Sequence, residues 1–247
     1  MQLDFNDPTK KLYETGLDRG VFYLADFPTG QPHDANVWFG LTSVNESPAG
    51  AEPTDLYASN EIYLTLISPE TFGFTIEAYT YPERFALCDG SYEAVPGFEV
   101  SMQPRHSFGL TYRTKIGSDA GGSELGYKIH LIYNAKAAPS EKARATVNES
   151  PEAVTFSWEC STTPVPMTGF KNTAKITLDS TKLTQAQLEA VETALYGGSD
   201  PDADPYLPTP DELMVLLQTP PRFEGTNKAG KNVKTVKFEK RGGKDAA

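Results

Sequence analysis

Residues 107–165 restrict the fold of this chain more than any other stretch. Ser107 to Lys115 and Leu125 to Lys136 alternate in character on either side of a glycine-rich connection, Gly117-Ser-Asp-Ala-Gly-Gly-Ser123. After a polar loop comes Ala153 to Thr162, with Phe156 and Trp158 in phase. Successive side chains of a strand point to opposite faces, so this alternation predicts long strands with two faces to cover. None of the three carries a catalytic motif. The pattern predicts a β framework that other parts of the chain lean on.

The chain has 247 residues, enough for one large β domain or two small ones, and a single core of that size buries about 70–75% of the unfolded surface. Cys88 and Cys160 are its only cysteines, both in apolar, strand-like surroundings, which predicts buried reduced thiols and no disulfide framework. The first residues lack the apolar run of a signal peptide, and no segment reaches the length of apolar sequence needed to span a bilayer. These features predict a protein made and kept in a cytoplasm, with no membrane partner.

Charge is unevenly placed. From Arg222 to Ala247 there are eight Lys/Arg against three Asp/Glu, a net +5; residues 1–221 hold fourteen against thirty, a net −16. A body this acidic argues against wrapping nucleic acid, because that affinity comes from cations that displace counterions.

Early strands are predicted at Gly20 to Ala25 and Val37 to Val44, separated by a turn at Pro28 to Pro32. Asn45 to Asn60 is rich in Pro, Gly, Ala and acidic residues, and reads as a long structureless loop, functional or disordered. Strands return at Glu61 to Ser68 and Phe72 to Thr80, each expected to face a core on at least one side. Pro82 to Leu87 suits a helical turn, and Gly97 to Met102 continues the β run. Beyond the break at Thr163-Pro-Val-Pro166, Ala174 to Leu178 gives a last strand.

A helix over Thr184 to Tyr196 is then fully punctuated. Thr184 and Gln187 form a capping box, Leu183 and Leu188 a hydrophobic staple, Leu188, Val191 and Leu195 the apolar stripe, and Gly197-Gly198 the stop. An acidic linker from Asp200 to Pro205 leads to a shorter helix capped by Thr209, with Pro210 first, Glu212 closing a second box, and Leu213, Leu216 and Leu217 as its apolar face. The basic segment after Pro220-Pro221 is expected to be mobile in the lone protein. Val44-Asn-Glu-Ser-Pro48 recurs at Val147 to Pro151, but the flanks differ, and chance or a shared turn preference accounts for it.

Chemistry is hard to find. His33, His106 and His130 are far apart, with no metal-ligand spacing, and the two cysteines cannot build a zinc site. No G-x-S-x-G elbow, Walker loop or dinucleotide fingerprint is present. Gly121-Gly-Ser-Glu-Leu-Gly126 lies between strands, whereas a phosphate cradle needs a following helix, so it reads as a hairpin turn. Asp200, Asp202 and Asp204 stand among Pro201, Ala203 and Pro205 and lack the closing glutamate of a calcium loop. Tyr79, Tyr81, Phe108, Tyr112, Tyr127 and Tyr133 fall at strand positions without interleaved cations, as sheet packing requires. The sequence therefore assigns no catalytic, cofactor-binding or metal-binding residue, and predicts that the chain is not an enzyme.

Phe39 to Pro48, Glu70 to Pro82 with Cys88-Asp-Gly90, and nearly all of 107–165 resemble the major tail tube proteins of long non-contractile-tailed, siphovirus-like bacteriophages. The resemblance covers most of residues 10–170 and rests on extended texture. It implies a mainly β fold: a two-sheet β-sandwich flanked by an α-helix, with a long extended loop and a C-terminal extension. Residues 1–200 would form the sandwich domain, including loop 45–60 and flanking helix 184–196. Residues 201–221 would be the acidic linker and short helix, and 222–247 the basic tail.

The resemblance further implies that copies assemble into hexameric rings stacked as a tail tube, with inward-facing strands joined into one inner barrel. The partners would be other copies, the tape measure protein, the tail terminator and tip proteins, and double-stranded DNA in non-specific transit. The location would be the virion, after assembly in the host cytoplasm. In such tubes an extended loop contacts the adjacent ring, which makes Asn45, Glu46, Glu52, Asp55 and Tyr57 the candidates for inter-ring contact. An acidic lumen would let DNA slide, and the basic tail would lie outside it or against a neighbour's acidic surface. The contrasting reading is a carbohydrate-binding or adhesin-like β-sandwich with an exposed aromatic face.

Overall fold

The computed structural model describes residues 10–25, 34–119, 122–144, 146, 153–198 and 204–218. The predicted turn at 28–32, His33, the second Val-Asn-Glu-Ser-Pro, the start of the acidic linker and the basic tail lie outside them. The fold is mainly β. Its strands are β1 (Leu12–Ala25), β2 (Asp34–Val37), β3 (Leu41–Ala49), β4 (Pro53–Ala58), β5 (Glu61–Ile67), β6 (Thr71–Ala78), β7 (Tyr92–Val95), β8 (Phe98–Val100), β9 (Ser107–Ser118), β10 (Gly122–Ala137), β11 (Phe156–Thr162) and β12 (Lys175–Asp179). The helices are α1 (Ala86–Asp89), α2 (Gln185–Tyr196) and α3 (Pro210–Gln218).

Eight strands form one sheet in the order β2-β1-β9-β10-β11-β6-β3, and β12 pairs with β10 off this path. The strands read from 107–165 are its centre. β9 and β10 pair antiparallel from Gly122↔Ser118 to Ala135↔Phe108, and β9 also pairs with β1 from Leu12↔Ser118 to Ala25↔Ser107. One edge of β10 is shared, by β12 along Lys128 to Ile132 and by β11 along Ala135 to Ala137.

The alternation along β1, β9 and β10 sorts side chains into two cores. On one face Phe22, Phe108, Leu110 and Ile132 meet Phe74, Ile76 and Trp158 from β6 and β11, together with Trp38, Phe85 and Cys88. Phe85, from the 3₁₀ turn Glu83–Phe85, is the hub: its ring lies 4.7 Å from Trp38, 5.0 Å from Trp158, 5.4 Å from Phe22 and 5.4 Å from Phe108. Tilted and edge-on pairs of this kind add to the stabilisation given by burial alone. Both cysteines are free and buried here, and burial pushes the Cys88 thiol up to about 12, so it stays protonated.

On the other face Val21, Tyr23, Ile129, Leu131 and Tyr133 meet Val191 and Leu195 of α2, Leu213 of α3, and Leu207. Both helices begin as their sequence dictates. Gln187 N donates to Thr184 Oγ1 at 3.4 Å while Thr184 N donates to Gln187 Oε1 at 2.8 Å, and the Thr209/Glu212 box repeats the pattern at 3.3 and 3.0 Å. Gly109 of β9 lets Leu207 press onto the sheet: a Cβ there would lie 2.3 Å from Leu207 Cδ2. Gly109→Ala is therefore expected to cost about 1–3 kcal/mol by overpacking. A lower urea midpoint with unchanged slope is the reading that checks it.

Several sequence expectations are corrected. Val37 to Val44 is two strands, because the chain turns at Phe39–Gly40 with Gly40 at φ +74°. The strand predicted from Gly20 starts at Leu12, its pattern hidden by register shifts at Thr15/Asp18 and Asp18/Val21 that re-phase the side chains. Gly97 to Met102 does not extend the main sheet; among the described residues β8 pairs only with β7, in a separate hairpin turned at Gly97 (φ +82°). Tyr79, read as sheet packing, is 56% exposed. The largest correction concerns residues 45–68.

Candidate functional site

Asn45 to Asn60 is not a structureless loop. Asn45 to Ala49 complete β3, and β4 pairs with β5 from Pro53↔Ile67 to Ala58↔Glu61 as a two-stranded sheet of its own. Ser59 and Asn60 close the hairpin at φ +55° and +67°, the two successive positive values of a type I′ turn, whose twist matches the flanking strands. Thr65 Oγ1 donates to Asp55 Oδ1 across the strands at 2.5 Å. The misleading signal was the Pro, Gly and acidic content, which outweighed a short alternation in β4.

Glu61 to Ser68 was expected to face a core. Instead every residue of β4 and β5 is exposed. The paired residues Leu56 and Leu64 share one face with Leu66 and Ile62, and Tyr57 sits opposite Ile62 beyond a bulge. Tyr57 is 70% exposed, Tyr63 73% and Ile67 70%. Isolated two-stranded hairpins are marginal in water, and contiguous apolar surface on such an arm marks a site of interaction.

The arm gathers three of the five residues predicted for inter-ring contact. Glu52 sits at its base with its N–H donating to Ser68 Oγ at 3.1 Å, Asp55 is in mid-strand, and Tyr57 lies towards the tip. Asn45 and Glu46 belong to the body. Asn45 is exposed, its Nδ2 donating to Ser43 Oγ at 3.3 Å. Glu46 pairs in register with Phe74 and stays exposed, and its Oε1 accepts the Tyr112 hydroxyl at 2.5 Å and the Lys175 ammonium. It ties β3 to β9 and β12 while remaining open to solvent.

Glu46 belongs to a polar cluster that sequence reasoning missed, since its members come from β1, β3, β9, β10 and β12. It lines an open cleft of about 390 Å³ beside the aromatic core. His130, 6% exposed, stacks on Tyr112 at 4.7 Å, with its Nε2 2.9 Å from Thr114 Oγ1 and 3.4 Å from Glu14 Oε1. Glu14 accepts from Lys128 and Thr114 at 2.5 and 2.6 Å. Outside the cleft, Arg113 makes a bidentate pair with Asp18 at 2.6 and 2.8 Å.

Burial pushes the Glu14 and Glu46 carboxyls up, but the hydrogen bonds from Lys128 and Thr114, and from Lys175 and Tyr112, outweigh it and hold both below the ordinary range. The Arg113 hydrogen bond lowers Asp18. Burial, reinforced by the charge of Lys175, lowers His130, which stays neutral at pH 7. All four shifts are downward, so each group contributes stability that is complete above its unfolded value and lost as pH falls through its folded one. Stability is expected to decline in two stages on acidification. The first starts below about 6.5 as His130 must charge, and the second starts below about 4.5 as the carboxylates protonate. Urea midpoints measured against pH check this, and His130→Asn should remove the first stage alone.

Among the described residues no group of three or more His, Cys, Asp or Glu is placed to hold a metal ion, and no helix is long and apolar enough to cross a membrane. No protein-family profile matches the chain, and no curated protein matches it significantly.

Proposed function

We propose that this chain is a structural virion protein, the tail tube subunit of a siphovirus-like phage, which assembles into stacked hexameric rings that conduct genome DNA. One observation carries the reading: an apolar hairpin arm held away from the body, with no core of its own. Such an arm is an unfinished contact, and another copy of the chain completes it. The main sheet supports the same reading. Its β6 and β11 strands share the core around Phe85 with β1, β9 and β10, as the strands of a sandwich would, and α2 and α3 cover the opposite face as flanking helices would.

Further support comes from the ends of the sheet. Among the described residues β2, β3 and β12 each have an edge without a strand partner, and assembly into a ring hides edges of that kind. The net −16 of residues 1–221 suits a wall past which phosphates must slide without binding. The tape measure, terminator and tip proteins would be its partners in the virion.

Negative-stain microscopy of the purified full-length protein tests the proposal. Rings or tubes with sixfold symmetry are expected. A protein that stays monomeric at high concentration and cosediments with glycans would instead favour the carbohydrate-binding reading.

A further inference from the structure

We infer that the arm is a rigid lever on a two-strand hinge, able to change its angle to the body without unfolding. The body ladder between β3 and β6 ends at Ala49↔Thr71, and the arm ladder begins again at Pro53↔Ile67. Glu52 and Ser68 already belong to the arm, since Ser68 N donates to Glu52 O at 3.2 Å and Glu52 N to Ser68 Oγ. The interruption is therefore confined to Gly50–Ala51 on one strand and Pro69–Glu70 on the other.

Both residues of the first linker have positive φ, Gly50 at +94° and Ala51 at +56°. That backbone region takes the chain out of the β3 direction, and only glycine adopts it freely. Proline at 69 cannot donate to a ladder, so the interruption cannot close by extending the pairing through it. The two linkers also touch: a Cβ at Gly50 would lie 2.3 Å from Pro69 O. The pivot is thus a narrow crossing of two backbones with no side chain between them.

What lies on either side of the pivot is fixed. On the body side, Glu46 ties β3 to Tyr112 of β9 and Lys175 of β12, and Thr71 Oγ1 donates to Ala49 O at 3.3 Å. On the arm side, the β4–β5 ladder, the Asp55–Thr65 hydrogen bond and the type I′ turn keep the hairpin in one shape. Neither core includes an arm side chain. Motion between a locked root and a stiff arm concentrates in the few residues that separate them, as in hinges generally.

This inference concerns the free chain and does not rest on the tube reading. It is tested by pulsed electron–electron resonance on the full-length monomer carrying pairs of spin labels, Cys88 and Cys160 being buried and unlabelled. Ala58→Cys with Thr193→Cys spans arm and body, Ala58→Cys with Ile67→Cys lies within the arm, and Lys136→Cys with Thr193→Cys lies within the body. The arm–body distribution is expected to be roughly twice as broad as the other two, which stay narrow, as hinge motion requires. An arm–body distribution as narrow as the body's would overturn the hinge. A broad distribution within the arm would overturn the lever, by showing an unfolded hairpin. In Glu46→Ala the arm–body distribution is expected to broaden further while the other two do not; no change would remove Glu46 from the device.

Discussion

Asp89→Ala is expected to lower the melting temperature by about 6–12 °C, from a loss of about 3 kcal/mol. Asp89 ends α1 at 8% exposure and holds together three groups from different parts of the chain. Its Oδ1 accepts Trp158 Nε1 at 3.1 Å and lies 3.7 Å from Arg105 Nη1, and its Oδ2 accepts the Lys142 ammonium. Without the carboxylate, the indole N–H is left buried and unpaired, and two cations lose their counter-charge. Because Lys142 and Arg105 keep about a quarter of their side-chain surface in water, the cost falls at the lower end of the range for broken buried pairs. Asp89→Asn keeps an acceptor for Trp158 and should recover roughly half of the loss. A scanning calorimetry shift below about 2 °C for Asp89→Ala would show that the three groups find other partners.

The second large effect falls on assembly and leaves the fold alone. Leu56→Asp combined with Leu64→Asp is expected to abolish rings and tubes while changing monomer stability by no more than about 0.5 kcal/mol. Both leucines lie on the same face of the arm, at 42% and 39% exposure, and neither contributes to a core. Covering what remains exposed of each is worth roughly 1 kcal/mol, and burying two carboxylates in their place costs more. A net change of about 3 kcal/mol per arm raises the concentration needed for assembly by a factor of about 100. The six arms of a ring compound it. Unchanged tubes in this double variant would separate the arm from assembly; a large loss of monomer stability would show that the arm is part of the fold.

The strands and helices that close on themselves were legible in the sequence. β9 and β10 were read from alternation, α2 and α3 from their capping boxes, and Cys88 and Cys160 as buried thiols, because in each case the deciding contacts are local or the residue type has one usual place. In the arm, β5 was read as a strand, but its exposure was misread and β4 was read as loop, for a physical reason. Its strands are two-sided and fully exposed, so no alternation of apolar and polar residues had to be kept. The turn that makes it a hairpin is Ser59–Asn60, not the stronger Asn-Gly signal. β7 was missed because it is short and, among the described residues, pairs with nothing but β8.

Glu46 shows where reading by residue type ends. As an acidic residue in a polar stretch it was read as a contact candidate; the register of β3 against β6 places it opposite Phe74 at the rim of the cleft, exposed but also tied to Tyr112 and Lys175, which its residue type did not announce. By itself the sequence determined that the chain is a β framework with two helices stopped and started at definite residues, since period, caps and turn chemistry act over a few neighbours. Only the tertiary structure decided which faces are covered. It put His130 inside and left the arm outside, because burial depends on which distant strand arrives opposite, and nothing within the described residues arrives opposite β4 and β5.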